Sequence, residues 1–301
     1  MRVLPEEDTA TDPVTGATLH PLSARLGAEV SGLDITGPIE PATAAWLRQA
    51  LLDHLVLFVR GQDMTDAQHI AFASIFGEPN VYPVTAARGI DEPLEWIEDD
   101  ESSPPKSDIW HTDAAFMPEP PDVAVLQMRS TPPVGGDTLW LDLYAAYDGL
   151  SPVFQRFVDG LDQDVHPGEF FRKKIELQFG PGIFEKVEAE FSGCQHPVVR
   201  VHPNTGRKAL YLCGAYAKGI TGMTDEEGDA VLSFLRQRLH DPSLQCRWSW
   251  QQFDVAVWDE RCTNHRALGD HYPQYRLVRR CTVGKGRPVG PGARSSATGA
   301  Q

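Results

Sequence analysis

Apolar residues recur along the chain with two different spacings, and each spacing predicts its own kind of element. Helical spacing covers 41–54, where Pro41 suits a first turn, and 65–77, where Thr65 can cap the first turn. A third helix is predicted at 224–241, because acidic residues open it and basic residues close it, as the helix dipole favours.

Between and after these helices the pattern changes to alternation and to short apolar runs, which is typical of strands. The predicted strands are 28–35, 55–61, 94–99, 123–130, 136–143, 246–251, 253–259 and 275–284. The stretch 196–213 reads as a hairpin around Asn204-Thr205-Gly206, and short helices are expected at 144–150 and 152–161. Many strands with a few outer helices predict a mainly β sandwich or barrel with flanking helices, not a βαβ repeat.

No internal repeat divides the chain, so a single domain is expected over 17–285. The ends, 1–16 and 286–301, are rich in small and polar residues and are predicted to be mobile tails.

Composition and charge narrow the possible partners. The 301 residues are 41% apolar and carry a formal net charge of -15, which disfavours nucleic acid and anionic membranes. The N-terminus lacks the apolar core of a signal peptide, and the apolar run at 55–59 is far too short to span a bilayer. The five cysteines form no C-x-x-C pair and argue against a disulfide framework. We therefore expect a cytoplasmic protein that acts on a small molecule.

Candidate metal chemistry begins with His111 and Asp113. If this segment is extended, residues two apart point to the same face and both side chains could reach one ion. A third ligand must come from elsewhere, and 258–280 offers His265 and His271. Two histidines and one carboxylate are the ligand set of non-haem Fe(II) oxygenases. A chance H-x-D pair with a solvated histidine is the simpler alternative.

Three arginines follow in the last predicted strand. Alternation places Arg276 and Arg280 on one face and Arg279 on the other. A guanidinium matches a carboxylate in shape and stays charged, so the first two could receive anions in one cavity. The alternative is a solvated basic strand with weak surface ion pairs.

These motifs carry a family resemblance. The segments "LVLFVRGQ", "FASIFGEP", "WHTDAAF", "GGDTLW", "WDERCTNHRA" and "YRLVRRCTV" occur in this order over roughly 26–288. In this the chain resembles the taurine dioxygenase/TfdA family of Fe(II)- and 2-oxoglutarate-dependent dioxygenases. The resemblance implies a double-stranded β-helix (jelly-roll, cupin-like) core, Fe(2+) as the metal, and 2-oxoglutarate and O2 as co-substrates.

The resemblance also implies residue roles. His111, Asp113 and His265 match the iron ligands, whereas His271 has no ligand counterpart and is expected at the surface. Thr138 and Arg276 match the residues that bind 2-oxoglutarate, and Arg280 matches the arginine that holds the acidic head of the prime substrate. An aspartate at 113 argues against a halogenase, where a small residue stands at this position.

Departures from the taurine-using members fall in the predicted substrate pocket. Tyr82 and Thr85 stand where a histidine and a tyrosine are found in those members, and Tyr216 replaces a phenylalanine. Asn80, Tyr82, Thr85 and Tyr216 are therefore candidates for substrate binding, although loop residues such as these more often serve packing. The iron and 2-oxoglutarate positions are unaffected.

Two further expectations come from the family. The segment 166–191 falls where members place a mobile lid, and an amphipathic surface helix is the equally weighted alternative. Members often form dimers or tetramers, so a homo-oligomer is expected.

Three functions follow from the resemblance. The first is hydroxylation of an unactivated C–H bond in a small, anionic substrate, with decarboxylation of 2-oxoglutarate to succinate. The second uses the same cofactor chemistry for desaturation, C–heteroatom cleavage or isonitrile formation. The third is a non-catalytic jelly-roll binding module, which the intact ligand set disfavours.

Overall fold

A computed structural model describes residues 10–105 and 107–292 of the protein. The strands are β1 Thr18–Pro21, β2 Ala28–Ser31, β3 Val56–Val59, β4 Pro79–Asn80, β5 Leu94–Asp99, β6 Val123–Ser130, β7 Thr138–Asp142, β8 Asp162–Val165, β9 Cys194–Pro197, β10 Val199–Val201, β11 Lys208–Leu210, β12 Ala217–Ile220, β13 Gln245–Trp248, β14 Val255–Asp259, β15 Thr263–Ala267 and β16 Arg276–Val283. The helices are α1 Pro41–His54, α2 Asp66–Ala73, α3 Pro83–Ala87, α4 Leu143–Asp148, α5 Pro152–Val158, α6 Gly168–Phe179, α7 Ile183–Glu190 and α8 Asp225–Arg238. Among the residues described, no helix combines the length and the apolar character needed to cross a bilayer.

The strands form four sheets: two of them pack together as the body, and the other two are β12-β8-β9 and β10-β11. The larger sheet has the order β1-β2-β3-β14-β6-β16-β4, and β5 pairs with β16 as well. The smaller sheet has the order β13-β7-β15, with both pairings antiparallel. Phe58 of the large sheet stacks on Trp248 of the small one at 4.2 Å and meets the edge of Trp140 at 5.2 Å. The predicted mainly β architecture with flanking helices is therefore confirmed.

The predicted helix at 41–54 is confirmed to the residue, and the one at 65–77 begins at a capping box between Thr65 and Gln68. The strand β15, which contains His265, was not predicted. Its buried residues Thr263, Asn264 and His265 are all polar. An apolar alternation therefore cannot reveal this strand, although it is the strand that carries a candidate ligand.

The folded unit is wider than 17–285. Asp12 is buried and accepts hydrogen bonds from the hydroxyl groups of Thr15 and Thr43. Near the other end, the backbone N–H of Val201 donates to the carbonyl of Val289. The parts of the predicted tails at 1–9 and 293–301 lie outside the described residues.

A buried ion-pair network holds the turn before β15. Asp259 accepts hydrogen bonds from His202 Nε2 at 3.0 Å and from Arg261 Nη2 at 2.7 Å. Arg261 Nη1 also donates to Asn204 Oδ1 at 2.9 Å. Burial opposes the ionisation of Asp259, but the charge and hydrogen bonds of Arg261 and His202 outweigh burial and hold its pKa well below the usual value. This network ties the β10–β11 hairpin to the turn that leads into β15.

We predict that Asp259→Ala lowers the free energy of unfolding by about 3–5 kcal/mol, because it leaves the buried Arg261 and His202 without their acceptor. The exposed pair of Arg207 and Asp148 is the matched control, since Asp148→Ala should cost less than about 1 kcal/mol. Urea denaturation of both variants measures the difference. Because folding lowers the pKa of Asp259, the stabilisation is present at neutral pH and declines as the pH falls below about 4. Equal losses for the two variants would contradict this assignment.

Candidate metal centre

His111, Asp113 and His265 converge on one point. Asp113 Oδ1 lies 3.8 Å from His111 Nε2 and 3.9 Å from His265 Nε2, and one ligand atom from each residue lies within 4.8 Å of the others. The convergence comes from the backbone. The N–H of His111 donates to the carbonyl of His265 at 3.0 Å, and the N–H of His265 donates to the carbonyl of His111 at 2.9 Å.

The loop that carries Asp113 is only partly extended. His111 occupies an isolated bridge to β15, and the chain turns directly after Asp113, where Ala114 has a φ of 48°. Gly214 packs closely against this loop. A Cβ at this position would lie 2.8 Å from the carbonyl oxygen of Trp110, so a larger residue would displace the loop. The prediction of extended backbone is therefore confirmed at His111 only. The side chains of His111 and Asp113 nevertheless reach a common point.

The protonation states suit a divalent cation. The Nδ1 of His111 lies 2.8 Å from the carbonyl oxygen of Ile109, so Nδ1 donates and Nε2 keeps its lone pair for the centre. Burial lowers the pKa of His111 and of His265, so both rings are neutral at pH 7. Burial opposes ionisation of Asp113, but the positive charge of Arg280 outweighs burial and holds the pKa of Asp113 below the usual value.

Within the described part of the chain, Asp113 Oδ2 and His265 Nδ1 are buried and lack a hydrogen-bond partner. A buried polar atom without a partner costs free energy, so such atoms often mark the place of a ligand or an ion. Two neutral imidazole nitrogens and one carboxylate, gathered in this way, fit a divalent transition metal.

Glu260 lies directly beneath these residues, and sequence reasoning missed it. Its side chain is fully buried. Oε2 accepts a hydrogen bond from the backbone N–H of Asp113 at 3.1 Å, and Oε1 accepts one from Trp258 Nε1 at 2.6 Å. Burial, and then the negative charge of Asp113, raise the pKa of Glu260 well above its usual value. The available signal was that this acid directly follows the predicted buried strand 253–259.

A cavity opens over the three residues, and both predicted arginines line it. Arg276 Nη1 lies 3.5 Å from Asp99 Oδ2, whereas Arg276 Nε is buried without a hydrogen-bond partner among the described residues. Thr138 lines the same wall, and its hydroxyl oxygen accepts a hydrogen bond from Trp250 Nε1 at 3.0 Å. Arg279 points to the opposite face of β16, where it contacts Asp66, so the predicted alternation is confirmed.

Arg280 is engaged by two acids. One Nη contacts Asp113, and the other lies 2.5 Å from Glu95 Oε2. Its guanidinium carbon also lies 5.0 Å from the ring centre of Tyr82. The strand register explains the pairing, because β5 places Glu95 opposite Arg280 and Asp99 opposite Arg276. Sequence reasoning missed both acids, since the pairing of β5 with β16 cannot be read from the pattern of either strand.

The remaining candidates divide into two groups. Tyr82 and Tyr216 line the cavity. Asn80 lies outside it and donates a hydrogen bond to the carbonyl of Gly284 at 2.6 Å, and Thr85 is buried within α3. These two placements correct the sequence-based set, since neither side chain faces the cavity.

His271 also departs from expectation. It is buried, not at the surface, and its Nε2 lies 3.5 Å from Asp99 Oδ2. It therefore lies behind the acid that pairs with Arg276, and it takes no part in the cluster of His111, Asp113 and His265.

The segment 166–191 forms α6 and α7, and α6 covers one side of the cavity. Phe171, Lys174, Ile175 and Phe179 of α6 belong to its lining. Phe171 packs against Phe116 at 5.2 Å between ring centres. The predicted lid thus lies over the site, and its mobility remains a prediction.

Comparison with known proteins agrees with this arrangement. The sequence model of one protein family, described as "Taurine catabolism dioxygenase TauD, TfdA family", matches residues 18–282. An alkylsulfatase of Acinetobacter baylyi is 34% identical over 278 residues, which cover 90% of this chain and 86% of the relative. An alpha-ketoglutarate-dependent sulfate ester dioxygenase of Pseudomonas putida is 33% identical and covers 93% of both chains.

Among solved structures, a taurine dioxygenase from Burkholderia xenovorans superposes with a TM-score of 0.77 at 33% identity, over 92% of this chain and 94% of that one. The similarity confirms the expected jelly-roll fold. The chain therefore belongs to the TauD/TfdA family and is an Fe(II)/2-oxoglutarate-dependent oxidoreductase.

Proposed function

We propose that the protein oxidises a small organic anion, an alkyl sulfate ester or a sulfonate, and that His111, Asp113 and His265 hold its Fe(II). The buried convergence of these three side chains beneath a cavity that contains two arginines carries the proposal. When bound there, iron with 2-oxoglutarate and O2 supplies the oxidant that removes a hydrogen atom from the substrate, and 2-oxoglutarate becomes succinate and carbon dioxide.

The co-substrate end of the cavity is formed by Arg276 and Thr138. Arg276 is buried, and its Nε is unbonded among the residues described, so the fork has donors left for a carboxylate. Asp99 and His271 lie behind Arg276 and restrict its rotation. The distal carboxylate of 2-oxoglutarate suits this fork, and the hydroxyl of Thr138 adds a donor beside it.

The prime-substrate end is formed by Arg280, Tyr82 and Tyr216. Arg280 supplies the cation for an acidic head group, and the two tyrosines supply apolar ring faces with polar tips. The alkylsulfatase and the sulfate ester dioxygenase support a sulfate ester as the first substrate class, and the taurine dioxygenase supports a sulfonate. The residues of α6 exclude water on the open side.

C–heteroatom cleavage, the second function considered from sequence, follows from hydroxylation in this substrate class. A hydroxyl group placed on the carbon that bears a sulfate gives an unstable adduct, which collapses to an aldehyde and inorganic sulfate. The five cysteines are free thiols, which fits a reducing compartment, and a cytoplasmic location is part of the proposal.

A substrate panel tests the function. With Fe(II), 2-oxoglutarate and O2, medium-chain alkyl sulfates should yield succinate and sulfate in equal amounts, and alkyl sulfonates should yield succinate and sulfite. Aryloxy acids, phosphonates and amino acids serve as the comparison set. Succinate release with that set but not with sulfates or sulfonates would contradict the proposed substrate class and leave the cofactor class intact.

Removing a ligand should abolish turnover while the fold remains. We expect His111→Ala and Asp113→Ala to release no succinate above background, with an unchanged circular dichroism spectrum. His69→Ala is the control, because this buried histidine lies on α2, outside the cluster of His111, Asp113 and His265, and is hydrogen-bonded to the carbonyl of Val125. Activity retained by either ligand variant would rule out the assignment.

Substitutions of Arg276 and Arg280 should change the KM values of different substrates. Arg276→Gln should raise the KM for 2-oxoglutarate at least about 30-fold, since a buried charge pair loses about 2 kcal/mol or more when one partner is truncated. Arg280→Gln should raise the KM for the prime substrate more than that for 2-oxoglutarate. Arg279→Gln, on the opposite face of β16, should change neither constant. Equal effects of the first two variants on both constants would refute this division.

A further inference from the structure

Three N–H groups surround the carboxyl group of Glu260. The backbone N–H of Asp113 donates to Oε2 and the indole of Trp258 donates to Oε1. The third is His265 Nδ1, which lies 4.0 Å from Oε1 and is buried without a hydrogen-bond partner in the described part of the chain. Two of these three groups belong to candidate metal ligands.

The orientation of His265 requires a proton on Nδ1. Its Nε2 faces Asp113 at 3.9 Å, so Nε2 must keep its lone pair if the ring is to bind a metal, and the neutral ring then carries hydrogen on Nδ1. The corresponding proton of His111 already has an acceptor, the carbonyl oxygen of Ile109 at 2.8 Å. For His265 the acidic group beside Nδ1 is Glu260.

We propose that Glu260 is a positioning residue of the metal centre: it accepts the Nδ1–H of His265 once the ring binds metal, and it anchors the backbone of Asp113. The inference rests on the proposed function, since it assumes a metal at His111, Asp113 and His265. Acceptors of this kind orient a ligand imidazole and increase its basicity, and losing one typically weakens metal binding 10–100-fold.

A glutamine cannot replace this group. Both carboxyl oxygens of Glu260 accept a hydrogen bond in the structure, whereas an amide accepts at its oxygen and presents N–H at the other position. In Glu260→Gln one amide N–H must face a donor, either that of Asp113 or those of Trp258 and His265. Glu260→Gln and Glu260→Leu should therefore both weaken metal binding.

Asp254 provides a matched control at the other end of β14. It is also fully buried, and it also accepts a hydrogen bond from a tryptophan, Trp248 Nε1 at 3.2 Å. Its remaining partners include Arg60, far from the metal centre. Asp254→Asn therefore reports the general effect of neutralising a buried acid that flanks the same strand.

The experiment titrates metal-free protein with Mn(II) and with Co(II) in the absence of 2-oxoglutarate. We expect a dissociation constant 10–100-fold weaker for both Glu260 variants and within about 3-fold of the parent for Asp254→Asn. Thermal denaturation of the metal-free proteins separates stability from metal affinity. If Glu260→Leu does not fold, Glu260→Gln alone decides the outcome. Metal affinity within about 3-fold of the parent in a folded Glu260 variant would overturn the proposal.

Proton NMR of the Co(II)-loaded proteins gives a second readout. The Nδ1–H protons of two ligand histidines should appear as two paramagnetically shifted signals that exchange with solvent. In Glu260→Leu the signal of His265 should broaden by faster exchange, whereas that of His111 should persist. Two unchanged signals in this variant would count against the proposal. Failure of the parent protein itself to bind Mn(II) or Co(II) would instead refute the proposed metal centre.

Discussion

The site depends on two backbone hydrogen bonds that join His111 to His265. β15 is an edge strand of the small sheet, and it extends its pairing by one residue to the loop that carries His111. Side chains reinforce this contact, since Asn264 Nδ2 donates to Thr112 Oγ1 at 2.6 Å. Because these groups are buried, breaking the contact would leave them without partners. The distance between the two imidazoles is therefore set by sheet pairing and not by the side chains themselves.

Strand pairing also determines where the charged residues of the cavity lie. A cation in a buried cavity is costly unless an opposite charge lies beside it. β16 provides Arg276 and Arg280 at two positions of one face, and β5 places Asp99 and Glu95 directly opposite them. Each arginine is thus balanced before any ligand binds. If Arg280 receives the head group as proposed, an incoming anion would compete with Glu95 and Asp113 for its guanidinium group.

The sequence predicts features that depend on residues close together in the chain. It does not predict those that depend on contacts between distant segments. The alternation within β16 placed Arg276 and Arg280 together, and a short motif placed His111 near Asp113, because these relations span only a few residues. β15, Glu260 and Glu95 could not be predicted in the same way. A buried strand of polar residues shows no apolar period, and the partner of a strand depends on a register that no single segment encodes. His271 was misplaced for a related reason, since a polar residue in a loop reads as exposed unless its acid partner, Asp99, is known.

The charge of the inner cluster supports the proposed cation. Burial keeps His111 and His265 neutral, and the raised pKa of Glu260 favours its neutral form while Asp113 is ionised nearby. Arg280 contacts both Asp113 and Glu95, so its single positive charge leaves one negative charge of the two acids to be matched by an ion. In the proposed metal centre, Glu260 lies beside His265 Nδ1 and accepts from the backbone N–H of Asp113, so one buried acid would link two of the three ligands.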